Sequence, residues 1–221
     1  MSADLAQGGL ARLGERVLRA VDRVGEVGLL ATQTARAASA RRFPLHELLV
    51  QFEAIAVRSL TIVGITALFT GMVLALQTVV SLSRFGAKPY TGSFVGLALA
   101  LELGPVLTAL MVSGRVGAGI AAEIGSMSVT EQIDAIRAMG ADPIQKLVLP
   151  RVIACTLGLP LLTAFADMLG VFGGMLIAAQ SGITSDFYMQ TVYNTVGTGD
   201  FLQGIGKTFV FGWIIATVGC N

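Results

Sequence analysis

Charged residues are scarce in this chain: only 13% of its 221 residues are Asp, Glu, Lys or Arg. Soluble domains carry about 25% charged residues, so these few charges are too sparse to cover a surface that faces water everywhere. A net charge of +1 excludes nucleic acid as an evident partner. One histidine and two cysteines leave no basis for a metal site or a disulfide framework. We therefore expect neither a metal nor a cofactor.

Long apolar runs dominate what is present, and hydrophobic residues make up 54% of the chain. Residues 59–83 contain no charged group. At about 1.5 Å per residue they are long enough to cross a hydrocarbon core of about 30 Å. Pro150 and Pro160 are expected to kink or divide the third run. The sequence predicts an all-α integral membrane protein, a polytopic helical bundle with spans at 59–83, 93–114, 147–181 and 203–220.

Basic residues are distributed unevenly between the connecting segments. Twelve of the 15 lysines and arginines lie in residues 1–58 and 115–151. Cytoplasmic loops carry an excess of Lys and Arg, so both segments are predicted to be cytoplasmic. This orientation predicts a multi-pass membrane protein with its N-terminus in the cytoplasm.

Residues 1–45 are predicted to form an N-terminal interfacial segment, and residues 46–221 the transmembrane domain. Four arginines fall within an arc of about 60° on a helical projection, and apolar residues occupy the opposite side. This pattern favours an amphipathic helix at the inner leaflet, although a soluble helix packed on a partner has the same pattern. The arginines are Arg12, Arg16, Arg19 and Arg23, and the apolar residues are Leu10, Leu13, Val17, Val21 and Val24.

A short cytoplasmic helix is predicted between the second and third spans. Ser128 and Glu131 have the spacing of a capping box, which predicts a helix that begins at Val129. Gly140 is a C-terminal stop signal, and Asp142 with the following proline begins the next helix. Short helices in this position dock permeases on ATPases, whereas an ordinary loop helix would have the same caps. The face expected to rest on the spans is Val129, Ile133, Ile136 and Met139.

Two carboxylates lie inside predicted spans, Glu102 and Asp167. A carboxylate at the centre of a span costs roughly 3 kcal/mol, so such groups usually face a cavity or a partner. Glu102 precedes Gly104 and Pro105, which disturb helix regularity. We interpret Glu102 as a contact for a lipid headgroup or a gating switch, with a structural hydrogen bond between helices as the alternative. Asp167 is interpreted as structural.

Several blocks of the sequence together resemble the MlaE/YrbE permease family. They are GMVLALQ (71–77), ELGPVLTALMVSGRVGAGIAAEIGSM (102–127), TEQIDAIRAMGADPIQKLVLPRV (130–152) and LPLLT (159–163). The resemblance implies a permease subunit, located in the bacterial inner membrane, of an ABC system that moves phospholipids or related lipids between inner and outer membranes. It further implies a homodimer, a separate cytoplasmic ABC ATPase, a periplasmic MCE-domain protein and a small STAS-domain subunit.

The resemblance also implies which residues contact lipid and which couple the chain to the ATPase. The lipid-contacting residues would be Glu102, Leu103, Leu74, Leu82 and Phe85, and the coupling residues Glu131, Gln132, Asp134, Arg137 and Gly140. Family members commonly have Arg directly before the Glu of ELGP, where this chain has Leu101. They also have one further span, so we expect a C-terminal span to be missing here.

Other functions are less well supported by the residues. The run Gly204–Thr208 ends like a phosphate-binding loop, but Phe201 replaces its first glycine, so we expect the chain not to be an enzyme that hydrolyses ATP. An autonomous channel or secondary transporter remains the alternative to an ATPase-driven permease. A membrane-embedded enzyme would need convergent catalytic side chains that we do not find. Gly92/Gly96 and Gly170/Gly174 are typical of close helix contacts, and we expect glycine-bearing spans to form the homodimer.

Overall fold

The computed structural model describes residues 2–38 and 45–221 of the chain. These residues form ten α-helices, and the described part contains no strand. Short π-helical turns lie within some of the helical runs, and the chain continues directly into the next α-helix. The helices are α1 Ser2–Ala38, α2 Leu45–Ile55, α3 Leu60–Ser83, α4 Thr91–Ala98, α5 Gly104–Val112, α6 Ala118–Val129, α7 Gln132–Ala138, α8 Leu149–Gln180, α9 Ser185–Thr195 and α10 Thr198–Gly219.

Four helical runs are long and apolar enough to cross a membrane. Each coincides with one of the predicted spans to within one residue or contains it, which confirms the prediction of an all-α polytopic membrane protein. The first run joins α2 to α3 through a single 3-10 turn, and the second joins α4, α5 and α6. The runs are the first span Leu45–Ser83, the second span Lys88–Val129, the third span Ile144–Gln180 and the fourth span Thr198–Gly219.

The second and third spans differ in length and continuity from the prediction. The second continues to Val129 because Arg115, which ends the apolar run, does not end the helix. The Arg115 guanidinium donates a hydrogen bond of 2.6 Å to Ser59 Oγ, and the π-helical turn Ser113–Gly117 keeps the backbone helical. The predicted division of the third run is wrong: Pro150 lies in the first turn of α8, where no amide donor is required, and Pro160 lies within α8 without ending it.

Helix α8 is the centre of the bundle, with α3, α5 and α10 packed around it. Small residues allow the close approach. A Cβ atom on Gly71 of α3 would overlap the backbone of Gly170, and one on Gly212 of α10 would press on the backbone at Cys155. Within lipid the hydrophobic effect does not draw helices together, so close van der Waals packing of backbones stabilises their association instead. The fold is therefore held together along α8.

The predicted glycine pairs do make close helix contacts, but they make them within one chain. Gly92 packs against Tyr188 of α9, and Gly174 of α8 packs against the same tyrosine. Tyr188 is completely buried, and burial raises the pKa of its phenol. Gly96 and Gly170 are also buried against neighbouring helices. Intrachain packing covers these four glycines, and homodimerisation through the glycine-bearing spans stays a prediction.

Residues 2–38 form a single helix, as the amphipathic pattern predicted for the N-terminal segment. The side chains of Leu10, Arg12, Leu13, Arg16 and Arg23 lie outside the described part, as do residues 39–44. Among the described side chains, Val17, Val21 and Val24 are more than half exposed. The end of α1 instead packs on the bundle, where Ala31 and Thr34 are buried. The valine side of α1 is therefore not covered by the described residues.

Candidate functional site

Glu102 forms an ion pair that joins the second span to the fourth. Its Oε1 atom lies 2.5 Å from the Nζ atom of Lys207 in α10. The same ammonium donates a hydrogen bond of 2.9 Å to the carbonyl oxygen of Leu101. The Glu102 side chain is 67% exposed and that of Lys207 30% exposed. A paired charge is thus presented on the outer surface of the helical bundle.

The local backbone explains why Lys207 binds at this position. Glu102 lies in the π-helical turn Leu99–Leu103, directly before α5. Pro105 has no amide hydrogen, so the Leu101 carbonyl, four residues earlier, lacks its usual helical donor. The Lys207 ammonium donates to that carbonyl and neutralises the neighbouring carboxylate. The ELGP sequence therefore creates two acceptors for one cation.

The sequence analysis considered Glu102 without a charged partner, whereas the structure pairs it with Lys207. A signal was present: Lys207 is the one basic residue in the fourth predicted span. Ionisable residues in spans usually pair with each other, so a lysine and a glutamate on two apolar runs could have been matched. In this chain, which has Leu101 directly before Glu102, the cation beside the carboxylate comes from another helix.

Only some of the predicted lipid-contacting residues lie together. Leu74 and Leu103 line one groove of about 400 Å³ between α3 and the second span, together with polar Thr70 and Gln77. Leu82 lies about 12 Å further along α3, at 1.5 Å per residue. It is half-buried, and Phe85, beyond the end of α3, is 83% exposed. Neither lines the groove, and Glu102, the sequence neighbour of Leu103, is not among the lining residues either.

Asp167, in α8, has surroundings unlike those of Glu102. It is 7% exposed, and its Oδ1 atom has no hydrogen-bond partner among the described residues. Thr108 Oγ1 is likewise buried without a partner there. Both residues line a cavity of about 10 Å³, which has room for a single water molecule. A Cβ atom on Gly104 would overlap the Asp167 carboxylate, so Asp167 belongs to the packed interior.

The predicted coupling helix exists, but it begins later than expected. Helix α6 continues through Val129, and α7 begins at Gln132. Glu131 lies between them with a φ of 57°, and its side chain does not cap α7. The predicted capping box of Ser128 and Glu131 is therefore wrong. Continued helical hydrogen bonding in α6, which ends with the Thr130 amide donating to the Ser126 carbonyl, outweighs the local capping signal.

The end of α7 follows the prediction. Gly140 adopts a φ of 76°, its amide donates to the Arg137 carbonyl, and the Ala141 amide donates to the Ile136 carbonyl. These two bonds form a Schellman motif, which favours glycine at this position. Asp142 Oδ1 then accepts a bond of 3.0 Å from the Ile144 amide and caps the next helical segment.

The five predicted coupling residues all lie on the exposed surface of this loop. Asp134 and Arg137 form an exposed ion pair of 3.1 Å. The expectation for the apolar face is only partly right: Ile133 and Ile136 are half-buried, whereas Val129 and Met139 are 86% and 73% exposed. Both apolar ends of the loop are thus available to a partner.

An ion pair between a buried arginine and a half-exposed glutamate, which the sequence did not reveal, supports the loop. Arg151 in α8 is 2% exposed, and its Nη2 atom lies 2.8 Å from Glu123 Oε1 in α6. Its Nη1 atom donates a hydrogen bond of 3.1 Å to the Leu147 carbonyl oxygen. This contact connects the helix that enters the loop with the helix that leaves it.

Comparison with known proteins gives a consistent set of relatives. The Permease MlaE family profile matches residues 48–221. A probable ABC transporter permease protein of Rickettsia felis is 41% identical over 211 residues, covering 94% of this chain and 81% of the relative. The intermembrane phospholipid transport system permease protein MlaE of Haemophilus influenzae is 35% identical over 207 residues, covering 91% and 78%. The chloroplastic protein TRIGALACTOSYLDIACYLGLYCEROL 1 of Arabidopsis thaliana is 37% identical over 174 residues, covering 78% and 50%.

The matched region contains all four spans, the paired charge of Glu102 and the α7 loop. The family profile covers more than half of the chain, and relatives above 30% identity cover most of it. This chain, a multi-pass membrane protein, belongs to the MlaE permease family.

Proposed function

We propose that this permease is the membrane subunit of an ABC transporter that moves phospholipids between the inner and outer membranes. The observation that carries the proposal is the similarity to the Haemophilus influenzae protein, which is named for intermembrane phospholipid transport. Rickettsial relatives are named as probable ABC transporter permeases, which supports a non-enzymatic subunit driven by a separate ATPase. An MCE-domain protein in the periplasm, a STAS-domain subunit and a second permease copy complete the proposed complex.

The proposed lipid contact centres on Glu102 and the adjoining groove. An acyl chain would lie against Leu74 and Leu103, and the headgroup would meet the Glu102–Lys207 pair. The exposed carboxylate supports this role, because a lipid headgroup can reach it without first displacing protein side chains. Leu82 and Phe85 would lie further along the lipid's path. A second copy facing this surface would enclose the groove, which is open in one chain.

The proposed coupling contact is the α7 loop, which would fit a groove on the ATPase. Glu131, Gln132, Asp134, Arg137 and Gly140 would face that partner, and exposed Val129 and Met139 would add apolar contact area. The Glu123–Arg151 pair would carry movement of the loop into α8. In this arrangement the loop and the N-terminus lie in the cytoplasm, as the basic residues indicate.

ATP-dependent transfer of a fluorescent phospholipid tests the proposed function. Vesicles would contain the permease, its ATPase and the MCE-domain partner, with acceptor vesicles outside. Glu102→Gln should reduce transfer roughly tenfold, because charge-assisted contacts contribute about 1.5–3 kcal/mol. Asp167→Asn is the matched control, a buried span carboxylate outside the Glu102–Lys207 pair, and should transfer normally. Absence of ATP-dependent transfer by the unaltered complex would contradict the proposal.

Reversal of the α7 ion pair tests the coupling contact separately. Asp134→Arg combined with Arg137→Asp keeps the intrahelical pair but inverts the charges presented to the ATPase. We expect ATPase capture to weaken by about tenfold, since misplaced charges at an interface cost several kcal/mol when fully desolvated and less at the rim. The control reverses Glu53 and Arg58, an exposed pair outside the loop. Equal capture by both double variants would exclude α7 as the coupling element.

A further inference from the structure

A second polar cavity lies away from the groove, at the end of the bundle that carries α7. Its volume is about 310 Å³, and it is formed by the first turns of α2, the end of α6 and the beginning of the third span. Cationic and anionic groups line it together: His46, Lys146 and Arg151 with Glu47 and Glu123. A cavity of mixed charge is suited to a ligand that itself carries both charges.

Arg151 supplies a buried donor for such a ligand. Two of its nitrogens are occupied, by Glu123 and by the Leu147 carbonyl, whereas Nε has no partner among the described residues. A buried donor without an acceptor is unfavourable, since it forfeits its hydration. The planar guanidinium matches phosphate oxygens in particular. Arg151 therefore brings a positive charge and at least one unpartnered hydrogen-bond donor to the cavity wall.

Lys146 and Glu47 extend the charge pattern of the cavity. In the part of the chain that the structure describes, no carboxylate lies within 4 Å of Lys146. Its ammonium can therefore meet a phosphate beside Arg151, whose own charge is balanced by Glu123. Glu47, on α2, supplies a carboxylate for a ligand amine. The pattern matches a phosphate with a nearby amine better than it matches a simple anion.

The mouth of the cavity is bordered by exposed apolar side chains of α2. Leu45 and Leu49 are 65% and 68% exposed, and Val50, which lines the cavity, is 50% exposed. Helix α2 is also the beginning of the first span. Apolar residues next to a polar cavity at the start of a span are expected at the boundary between headgroups and acyl chains. This surrounding favours a lipid over a protein segment or a free anion.

We propose that this cavity binds the headgroup of a zwitterionic phospholipid of the surrounding bilayer, of the phosphatidylethanolamine class. The phosphate lies between Lys146 and Arg151, the amine lies near Glu47, and the acyl chains follow the apolar face of α2. The site requires only that the chain is inserted in a membrane. A test of lipid binding at this cavity is therefore independent of the proposed transport function.

Photo-crosslinking from the cavity wall tests this site. A benzophenone amino acid at Val50, and separately at His46, would be introduced into the permease in its assembled complex. The complex would be placed in vesicles of phosphatidylethanolamine and phosphatidylglycerol, and captured lipids identified by mass spectrometry. We expect preferential capture of phosphatidylethanolamine. Lys146→Gln should lower its capture roughly tenfold. Lys88→Gln, an exposed lysine next to α4, is the matched control and should leave capture unchanged.

Glu47→Gln distinguishes recognition of the lipid amine from a purely structural role of this carboxylate. Loss of this carboxylate should reduce the preference for phosphatidylethanolamine over phosphatidylglycerol while total capture persists. Equal capture by the unaltered permease and Lys146→Gln would overturn the proposal. Full competition by millimolar inorganic phosphate would identify a free-anion site instead. Loss of the ATPase from Lys146→Gln with unchanged lipid capture would identify a protein contact and equally overturn it.

Discussion

Glu102 and Asp167 are two carboxylates that lie within apolar spans but have opposite surroundings. Glu102 is largely exposed and paired with Lys207, whereas Asp167 is buried and its Oδ1 atom has no partner among the described residues. They are close in the fold, since Gly104, two residues after Glu102, packs against Asp167. One carboxylate faces outward with its charge balanced, and the other fills space inside the bundle. Depth in an apolar run therefore does not decide the role of an acidic residue.

The largest effect should come from filling the space at Asp167. Gly104→Ala places a methyl group on the Asp167 carboxylate, and such overpacking costs about 1–3 kcal/mol. Gly114→Ala is the control, because a methyl group there meets nothing within 4 Å. Detergent-driven unfolding, followed by fluorescence of the single tryptophan Trp213, measures both. Adding Asp167→Ala to Gly104→Ala should restore part of the stability, since the methyl group still lies 2.9 Å from the Leu99 carbonyl oxygen. No recovery at all would show that the carboxylate is not what limits the space.

An intermediate effect should follow from changing the charge at Glu102 and Lys207. Lys207→Glu places two carboxylates together, and we expect phospholipid transfer to fall roughly tenfold, equivalent to about 1.4 kcal/mol. The swapped variant, Glu102→Lys with Lys207→Glu, restores opposite charges and should regain part of the activity. A double-mutant cycle on transfer rates measures the coupling. Independent effects of the two changes would show that the pair does not act as a unit.

The smallest effect should be that of Asp167→Asn on stability. The amide has nearly the same shape, and no ion pair with Asp167 is found among the described residues, so we expect the free energy of unfolding to change by less than about 1 kcal/mol. The same unfolding measurement applies. A larger loss would mean that Asp167 has a charged partner in the assembled complex, which would make the two carboxylates more alike.

Much of the architecture follows from the residue pattern alone. Twenty-five uncharged residues at 59–83 are long enough to cross a bilayer, and lipid requires their backbone groups to be satisfied within a helix. The end of α7 at Gly140 was equally predictable, because the positive φ at this position favours glycine. Helix ends at charged residues were harder to predict. Arg115 ends an apolar run but not the second span, because its guanidinium donates a hydrogen bond to Ser59 of the first span.

The sequence by itself determined the helical membrane fold, the four spans and the loop that carries α7, because each depends on local composition and spacing. The tertiary structure alone decided which charges meet. Glu102 and Lys207 are 105 residues apart, and Arg151 reaches Glu123 across the α7 loop. It also decided that the glycines serve contacts within one chain and that α6 overrides the capping signal at Ser128. Such pairings arise only when packing around α8 brings distant helices together, since in lipid a charged side chain takes whichever partner the bundle places within reach.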